Sequence, residues 1–129
     1  TSQLKEILTP LAERGRENKF FARVFQALRI EVNGELEVLK ELLLQTQKVL
    51  KPGGRLVIMS YHSLEDRLVK NYLKTGNFEA IEEKDFYGNL IAPFKPITRK
   101  PVVPGEQETL ENSRARSAKH RIAERTINE

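Results

Sequence analysis

Two groups of residues in this chain have the types and spacing to do chemistry. The first is Ser60-Tyr61-His62, which follows the apolar run Leu56-Val57-Ile58-Met59 and precedes Ser63-Leu64-Glu65-Asp66. A His at the carboxyl end of a buried strand stands where open α/β sheets place their ligand crevices. There an imidazole could hold a ligand by a hydrogen bond or move a proton near neutral pH. The competing reading is that His62 orders the loop and caps the next helix. The second group is basic: Arg114, Arg116, Lys119, Arg121 and Arg125 stand against a single acid, Glu124. Charge localised in this way is what phosphate binding exploits, and it serves equally as a solvated strand face. His120 falls on the opposite face from Lys119 and Arg121 in a strand and is given no role. Two His without ligand-like spacing to Asp or Glu are too few for a metal site, so none is expected. The absence of Cys excludes thiol catalysis.

The elements that must position these residues can be followed along the chain. Leu4, Ile7, Leu8 and Leu11 keep the spacing of one helical face, with Pro10 requiring a kink or restart and Gly15 a plausible stop. Lys19 to Ile30 is apolar almost all round, so that helix needs covering on more than one side. Asn33-Gly34 marks a break, with Asn33 expected as an N-cap. Leu36 to Leu50 then describes an amphipathic helix of about four turns, ended by Lys51-Pro52-Gly53-Gly54. Leu56 to Met59 lacks polar alternation and suits a parallel strand covered on both faces. Ser63 and Asp66 resemble a capping box, Glu65 and Arg67 a local pair on a solvated face. Leu64, Leu68, Val69, Tyr72 and Leu73 form another amphipathic helix, closed by Gly76. Helix, strand, helix in this order is half of a doubly wound α/β unit.

Further on, Phe78 to Glu83 and Leu90 to Pro93 read as hairpin strands around Tyr87-Gly88-Asn89. Lys95 to Val103 is extended and near a sheet edge, because Pro96 and Pro101 cannot donate to a ladder. Pro104 to Asn112 is a short acidic helix or loop, and Ser117 to Thr126 a last strand.

With 129 residues the chain can build one domain with a real core. It has no apolar run of the roughly 18 residues that a membrane helix requires, so no membrane association is expected. No signal-peptide layout opens it. The lack of Cys is compatible with a reducing compartment, and the expected location is the cytoplasm. The net charge of +4 is too small to imply nucleic acid without the local clustering described above.

Three blocks carry a resemblance to a known family. Phe25-Gln26-Ala27-Leu28-Arg29-Ile30-Glu31-Val32-Asn33 with Glu35-Leu36 resembles its "FQALRI-VN-EL" segment. Pro52 to Arg67 resembles "PGGRL…SFHSLEDR", with Tyr61 in place of the usual Phe. Arg99-Lys100-Pro101, Pro104, Asn112, Arg114 to Lys119 and Ala123-Glu124-Arg125 resemble "KKP…P…NPRARSAK-R-AE". The family is the bacterial ribosomal RNA small-subunit methyltransferase H, or MraW, family.

The resemblance implies an α/β fold, namely the C-terminal part of a Rossmann-like class I methyltransferase sheet preceded by helices of an inserted helical part. Residues 1–32 would end that insertion, and residues 33–129 would belong to the methyltransferase domain. It implies methyl transfer from S-adenosylmethionine to the exocyclic amine of a cytosine in 16S rRNA. In that reaction the amine attacks the methyl sulfonium, and positioning matters most. His62 would then orient the target base or relay the proton lost from the amine. Ser60 and Tyr61 would lie on the substrate side, Tyr61 stacking on a flipped base or packing under the loop. Arg114, Arg116 and Lys119 would reach RNA phosphates, contacts that give affinity rather than sequence choice.

The family's Gly-rich cofactor turn, between a first strand and a helix, has no counterpart here. Gly53-Gly54 precedes a strand and offers no helix N-terminus. The chain also begins without Met, inside a helix. It is therefore expected to be a truncated methyltransferase, inactive alone and without bound S-adenosylmethionine. The partners expected are 16S rRNA in the small ribosomal subunit and a second copy of the chain. Strand Leu56–Met59 would offer an unpaired edge, and the helix Lys19 to Ile30 an uncovered surface, to a dimer, with a swapped dimer as one form of it. The alternative function is a self-associating or RNA-binding module without catalysis.

Overall fold

Pro10 and Gly34 set the breaks in the N-terminal helices. The structure, a computed structural model, describes residues 1–126 and divides into two units, Thr1–Glu37 and Val38–Glu129. In the first unit, α1 spans Ser2–Leu8 and passes into a 3-10 turn, Thr9–Leu11, which holds Pro10 at its start, where a missing N–H costs no helical hydrogen bond. α2 spans Glu17–Asn33 and has no buried residue. Phe20 and Phe21 meet edge to face at 5.7 Å. The ammonium of Lys5 lies 5.9 Å from the ring centroids of both Phe21 and Phe25.

Asn33 departs from its expected role as an N-cap. It is the last residue of α2, and Gly34, at φ 59°, forms the left-handed C-cap that turns the chain into α3, Glu35–Val49.

In the second unit the Lys51-Pro52-Gly53-Gly54 turn leads to β1, Arg55–Ser60, then α4, Ser63–Thr75. β2, Phe94–Pro96, α5, Glu106–Glu111, and β3, Lys119–Arg125, follow. The sheet order is β1-β3-β2, both pairings antiparallel, with Leu56 opposite Ala123 and Ser60 opposite Lys119. The parallel, doubly covered strand expected at Leu56–Met59 is thus corrected. β1 pairs antiparallel with β3 and lies at a sheet edge. Val57 and Met59 are about half exposed, at 51% and 52%, while Leu56 and Ile58 pack against the core. The β1 face that carries Val57 and Met59 lacks such a covering among the described residues.

The core joins Leu43 of α3, Val69, Tyr72 and Leu73 of α4, Phe94 of β2 and Ala123 of β3. Full burial of a side chain of this kind is worth about 1.5–3 kcal/mol. Tyr72 stacks on Phe78 at 5.2 Å and donates its hydroxyl to Gln47 Oε1 at 3.1 Å; burial pushes its phenol pKa up.

The hairpin expected around Tyr87-Gly88-Asn89 is reduced to its turn. Asp85 accepts from the N–H groups of Tyr87 and Asn89, but the flanks meet only at the Lys84–Leu90 bridge, through the bonds from Asp85 N–H to Asn89 O and from Ile91 N–H to Glu83 O. The strand expected over Phe78–Glu83 is pre-empted by Asn77, whose amide bonds both the N–H and C=O of Ile81, and Ala80 stands at φ 61°. The expected edge segment Lys95 to Val103 meets β3 in pieces: Lys95 and Pro96 pair within β2, Ile97 and Thr98 N–H donate to Ile122 O, and Val102 bridges to His120.

Candidate functional site

The Ser60–His62 loop is built by the end of β1 and the start of α4. Ser60 is buried opposite Lys119. Tyr61 is 55% exposed, and its N–H donates to Glu65 Oε2 at 3.1 Å. His62 is the N-cap of α4: its Nδ1 accepts from Glu65 N–H at 3.4 Å. A side-chain acceptor there satisfies one of the unpaired N–H groups of the first turn. The capping box expected from Ser63 and Asp66 is corrected by one residue, to His62 and Glu65. With Nδ1 accepting, the neutral ring carries its proton on Nε2. That atom is buried and 3.2 Å from Glu65 Oε1, yet has no partner in hydrogen-bond geometry. His62 is therefore turned inward in this arrangement, and Tyr61 presents the exposed ring.

Freed from capping, Asp66 takes a role that sequence reasoning missed. Its carboxylate accepts from Arg121 Nε at 2.7 Å and from Nη2 at 3.0 Å, a buried two-pronged pair between α4 and β3. Lys119 Nζ lies 3.8 Å away on the same strand face. The Arg121 hydrogen bond holds the Asp66 carboxyl below its ordinary pKa against the opposing effect of burial, helped by the charges of Arg121, Lys119 and Lys70. Alternation along β3 was the available signal, since Lys119, Arg121, Ala123 and Arg125 must share one face.

That face also divides the basic group. Arg121 is committed to Asp66. Arg125 donates from Nε to Gln47 O and from Nη1 to Pro93 O, with its guanidinium over Phe94. Arg114 and Arg116 lie exposed in a 3-10 turn, Ser113–Ser117, capped by Asn112, whose side chain accepts from Arg114 N–H at 3.2 Å. Lys119 is about half exposed beside Asp66. The structure therefore brings Lys119 next to Ser60 across the β1–β3 ladder and leaves the Arg114 and Arg116 side chains without an ion pair among the described residues.

Gly53-Gly54 does not form a cradle for a charged cofactor. Gly53 N–H donates to Arg125 O and Gly54 N–H to Lys51 O, both at 2.9 Å, so both donors are occupied by the turn and the end of β3. A Cβ on Gly54 would stand 2.8 Å from Lys51 O, so glycine is there for the tightness of the turn. No helix among the described residues is long and apolar enough to cross a membrane.

Known proteins match nearly the whole length of the chain in sequence. The model of the MraW methylase family matches residues 1–126. Ribosomal RNA small subunit methyltransferase H of Amoebophilus asiaticus is 60% identical over 126 residues, covering 98% of this chain and 41% of the relative. The protein of that name from Cytophaga hutchinsonii is 60% identical over 125 residues, covering 97% and 42%. That from Christiangramia forsetii is 56% identical over 123 residues, covering 95% and 40%. The chain spans about 40% of the length of these curated relatives. With a family model matched from end to end of the described residues, the chain belongs to the MraW methylase family.

Proposed function

We propose that this chain supplies the substrate-side part of an S-adenosylmethionine-dependent methyltransferase that modifies the exocyclic amine of a cytosine in 16S rRNA of the small ribosomal subunit, in the cytoplasm. The family match over residues 1–126 carries the reading. The relatives are ribosomal RNA small subunit methyltransferases H, which supports the substrate class. In this reading Thr1–Glu37 holds the end of a helical insertion, and the second unit holds the last strands of a Rossmann-like class I sheet.

The loop after β1 forms one wall of the crevice. Tyr61, with its ring exposed, stacks on the target base. His62 acts as a positioning residue: it caps α4 and, through Glu65, fixes the backbone of Tyr61. Ser60 anchors the loop against Lys119. Arg114, Arg116 and Lys119 hold phosphates beside it. The methyl donor binds to parts of the enzyme that this chain does not supply, and the chain alone is inactive.

A chimera tests the reading. This chain replaces the matching segment of the Amoebophilus asiaticus relative, and methyl transfer to small-subunit rRNA is followed with labelled S-adenosylmethionine. Transfer is expected, with Tyr61→Ala losing about 10–100-fold, as stacking worth about 1–3 kcal/mol implies, and Tyr61→Phe retaining activity. A folded chimera with no transfer overturns the functional assignment. A micromolar S-adenosylmethionine site on the isolated chain, seen by calorimetry, overturns the placement of the donor.

A second reading has its own observation. β1 is an edge strand and α2 buries none of its residues, surfaces that a second copy of the chain could pair with. Sedimentation at tens of micromolar separates it, since a folded monomer removes the dimer.

A further inference from the structure

A cavity of about 330 Å³ opens between α4 and the β2–β3 side of the sheet, lined by Lys70, Leu73 and Lys74 on the helix and by Pro96, Thr98, Arg99, Arg121 and Ile122. It is separate from the Ser60–His62 loop: Lys70 follows His62 by eight residues, about 12 Å along α4 at a rise of 1.5 Å per residue. Its size falls within the range of small-ligand sites, roughly 300–1,000 Å³.

The charge of its lining is one-sided. Four of the eight lining residues are cations and none is an acid. Lys74 is paired with Glu82 at 2.7 Å. Lys70 and Arg99 make no hydrogen bond or ion pair among the described residues, and both are exposed at the rim. Arg121 is 7% exposed. Its Nε and Nη2 are fixed by Asp66, whereas Nη1 has no partner among the described residues and is not among the buried unsatisfied atoms. Asp66 thus locks the guanidinium plane of a buried arginine while one nitrogen remains able to donate. Leu73, Pro96 and Ile122, with the methylene stems of Lys70 and Lys74, make the remaining wall apolar.

We propose that this cavity is a nucleotide-binding site. It accepts a phosphate between Lys70, Arg99 and Arg121, with the base against Leu73 and Pro96. The guanidinium fork of Arg99 suits a phosphate better than a point charge does, Arg121 adds the single donor Nη1, and the apolar wall beside them suits a planar ring. A bare inorganic anion would leave that wall unused, and an uncharged ring would leave the Lys70 and Arg99 charges and the Arg121 Nη1 donor without a ligand. The phosphate has two possible sources with the same chemistry, a free mononucleotide or one nucleotide of an RNA strand.

Calorimetric titration of cytidine monophosphate, cytidine and inorganic phosphate into the 129-residue chain tests the site. The monophosphate should bind at one saturable site, at least about tenfold more tightly than either part alone. Lys70→Ala and Arg99→Ala should each weaken it by about tenfold, the scale of one charge-assisted hydrogen bond. Neither side chain makes a hydrogen bond or ion pair among the described residues, and Lys70 acts on Asp66 through its charge alone, so circular dichroism should show the variants folded. No saturable binding, equal binding of phosphate and monophosphate, or an affinity unmoved by both substitutions overturns the proposal. With binding established, displacement by an oligocytidine lacking terminal phosphates assigns the source to an RNA strand. Failure to displace assigns it to a free nucleotide.

Discussion

Two guanidinium nitrogens of Arg121 meet the two oxygens of Asp66, and both side chains are buried. Removing one partner leaves the other charge uncompensated, which costs about 3–5 kcal/mol, whereas replacing both by apolar groups of similar volume is far less damaging. Asp66→Asn and Arg121→Met should therefore each lower unfolding stability in urea by that order, and Asp66→Leu with Arg121→Met should recover much of it. The pair also sets an acid limit. Because the Asp66 pKa is lowered in the folded state, first by the Arg121 hydrogen bond, the unfolded chain takes up this proton first as pH falls. The stabilisation is complete above the unfolded carboxyl pKa, about 3.9, and is lost as pH falls through the folded value. Melting temperature followed from pH 6 downward should drop for the parent chain, with a shallower fall in Asp66→Asn; parallel curves would remove Asp66 from the acid response. Little of this was legible locally. Ser63 and Asp66 have box spacing, and only the fold shows that His62 takes the cap and frees Asp66 for a residue 55 positions away.

At the scale of elements, the glycines that end helices are not equivalent. Gly34 and Gly76 both stand in the left-handed region, at φ 59° and 79°, but a Cβ on Gly34 would meet nothing within 4 Å, while one on Gly76 would lie 2.5 Å from the Pro93 ring. Gly34→Ala should cost about 1–2 kcal/mol, the steric penalty of that backbone for an L-residue. Gly76→Ala should cost clearly more, because α4 must also move off the segment leading into β2. Equal losses in urea unfolding would show that the Pro93 contact yields freely. The helix stops at Gly34, Lys51 to Gly54 and Gly76, β1, β3 and the α4 face were readable from period and punctuation, since each is specified by neighbours in sequence, whereas the helix starts expected at Asn33 and Ser63 were not. The antiparallel partner of β1 was not, because an apolar run carries no information about strand direction. Nor was the failed hairpin, where one Asn side chain outcompetes a ladder.

Over the whole molecule, the basic group of the last 20 residues or so is less available than its composition implies. Of Arg114, Arg116, Lys119, Arg121 and Arg125, the two at the end hold α4, α3 and the Pro93 segment in place. Three cations then remain for phosphates, and one of them, Lys119, shares Asp66. Each phosphate neutralised on a single strand contributes about −0.7 to the slope of log affinity against log salt, so this group's share is about −2 rather than the −3.5 of five free cations. Fluorescence titration of a short single-stranded RNA across 50–200 mM salt reads the slope. Arg114→Ala with Arg116→Ala should reduce its magnitude by about 1.4, with binding weakened evenly across RNA sequences, because phosphate contacts position rather than discriminate. Lys70→Ala and Arg99→Ala would alter the slope independently only if the strand also enters the cavity beside α4. A slope unchanged by the double substitution would take RNA away from the 3-10 turn. Little binding at any salt would favour a chain that only pairs with itself through the open edge of β1, since strand pairing needs no phosphate.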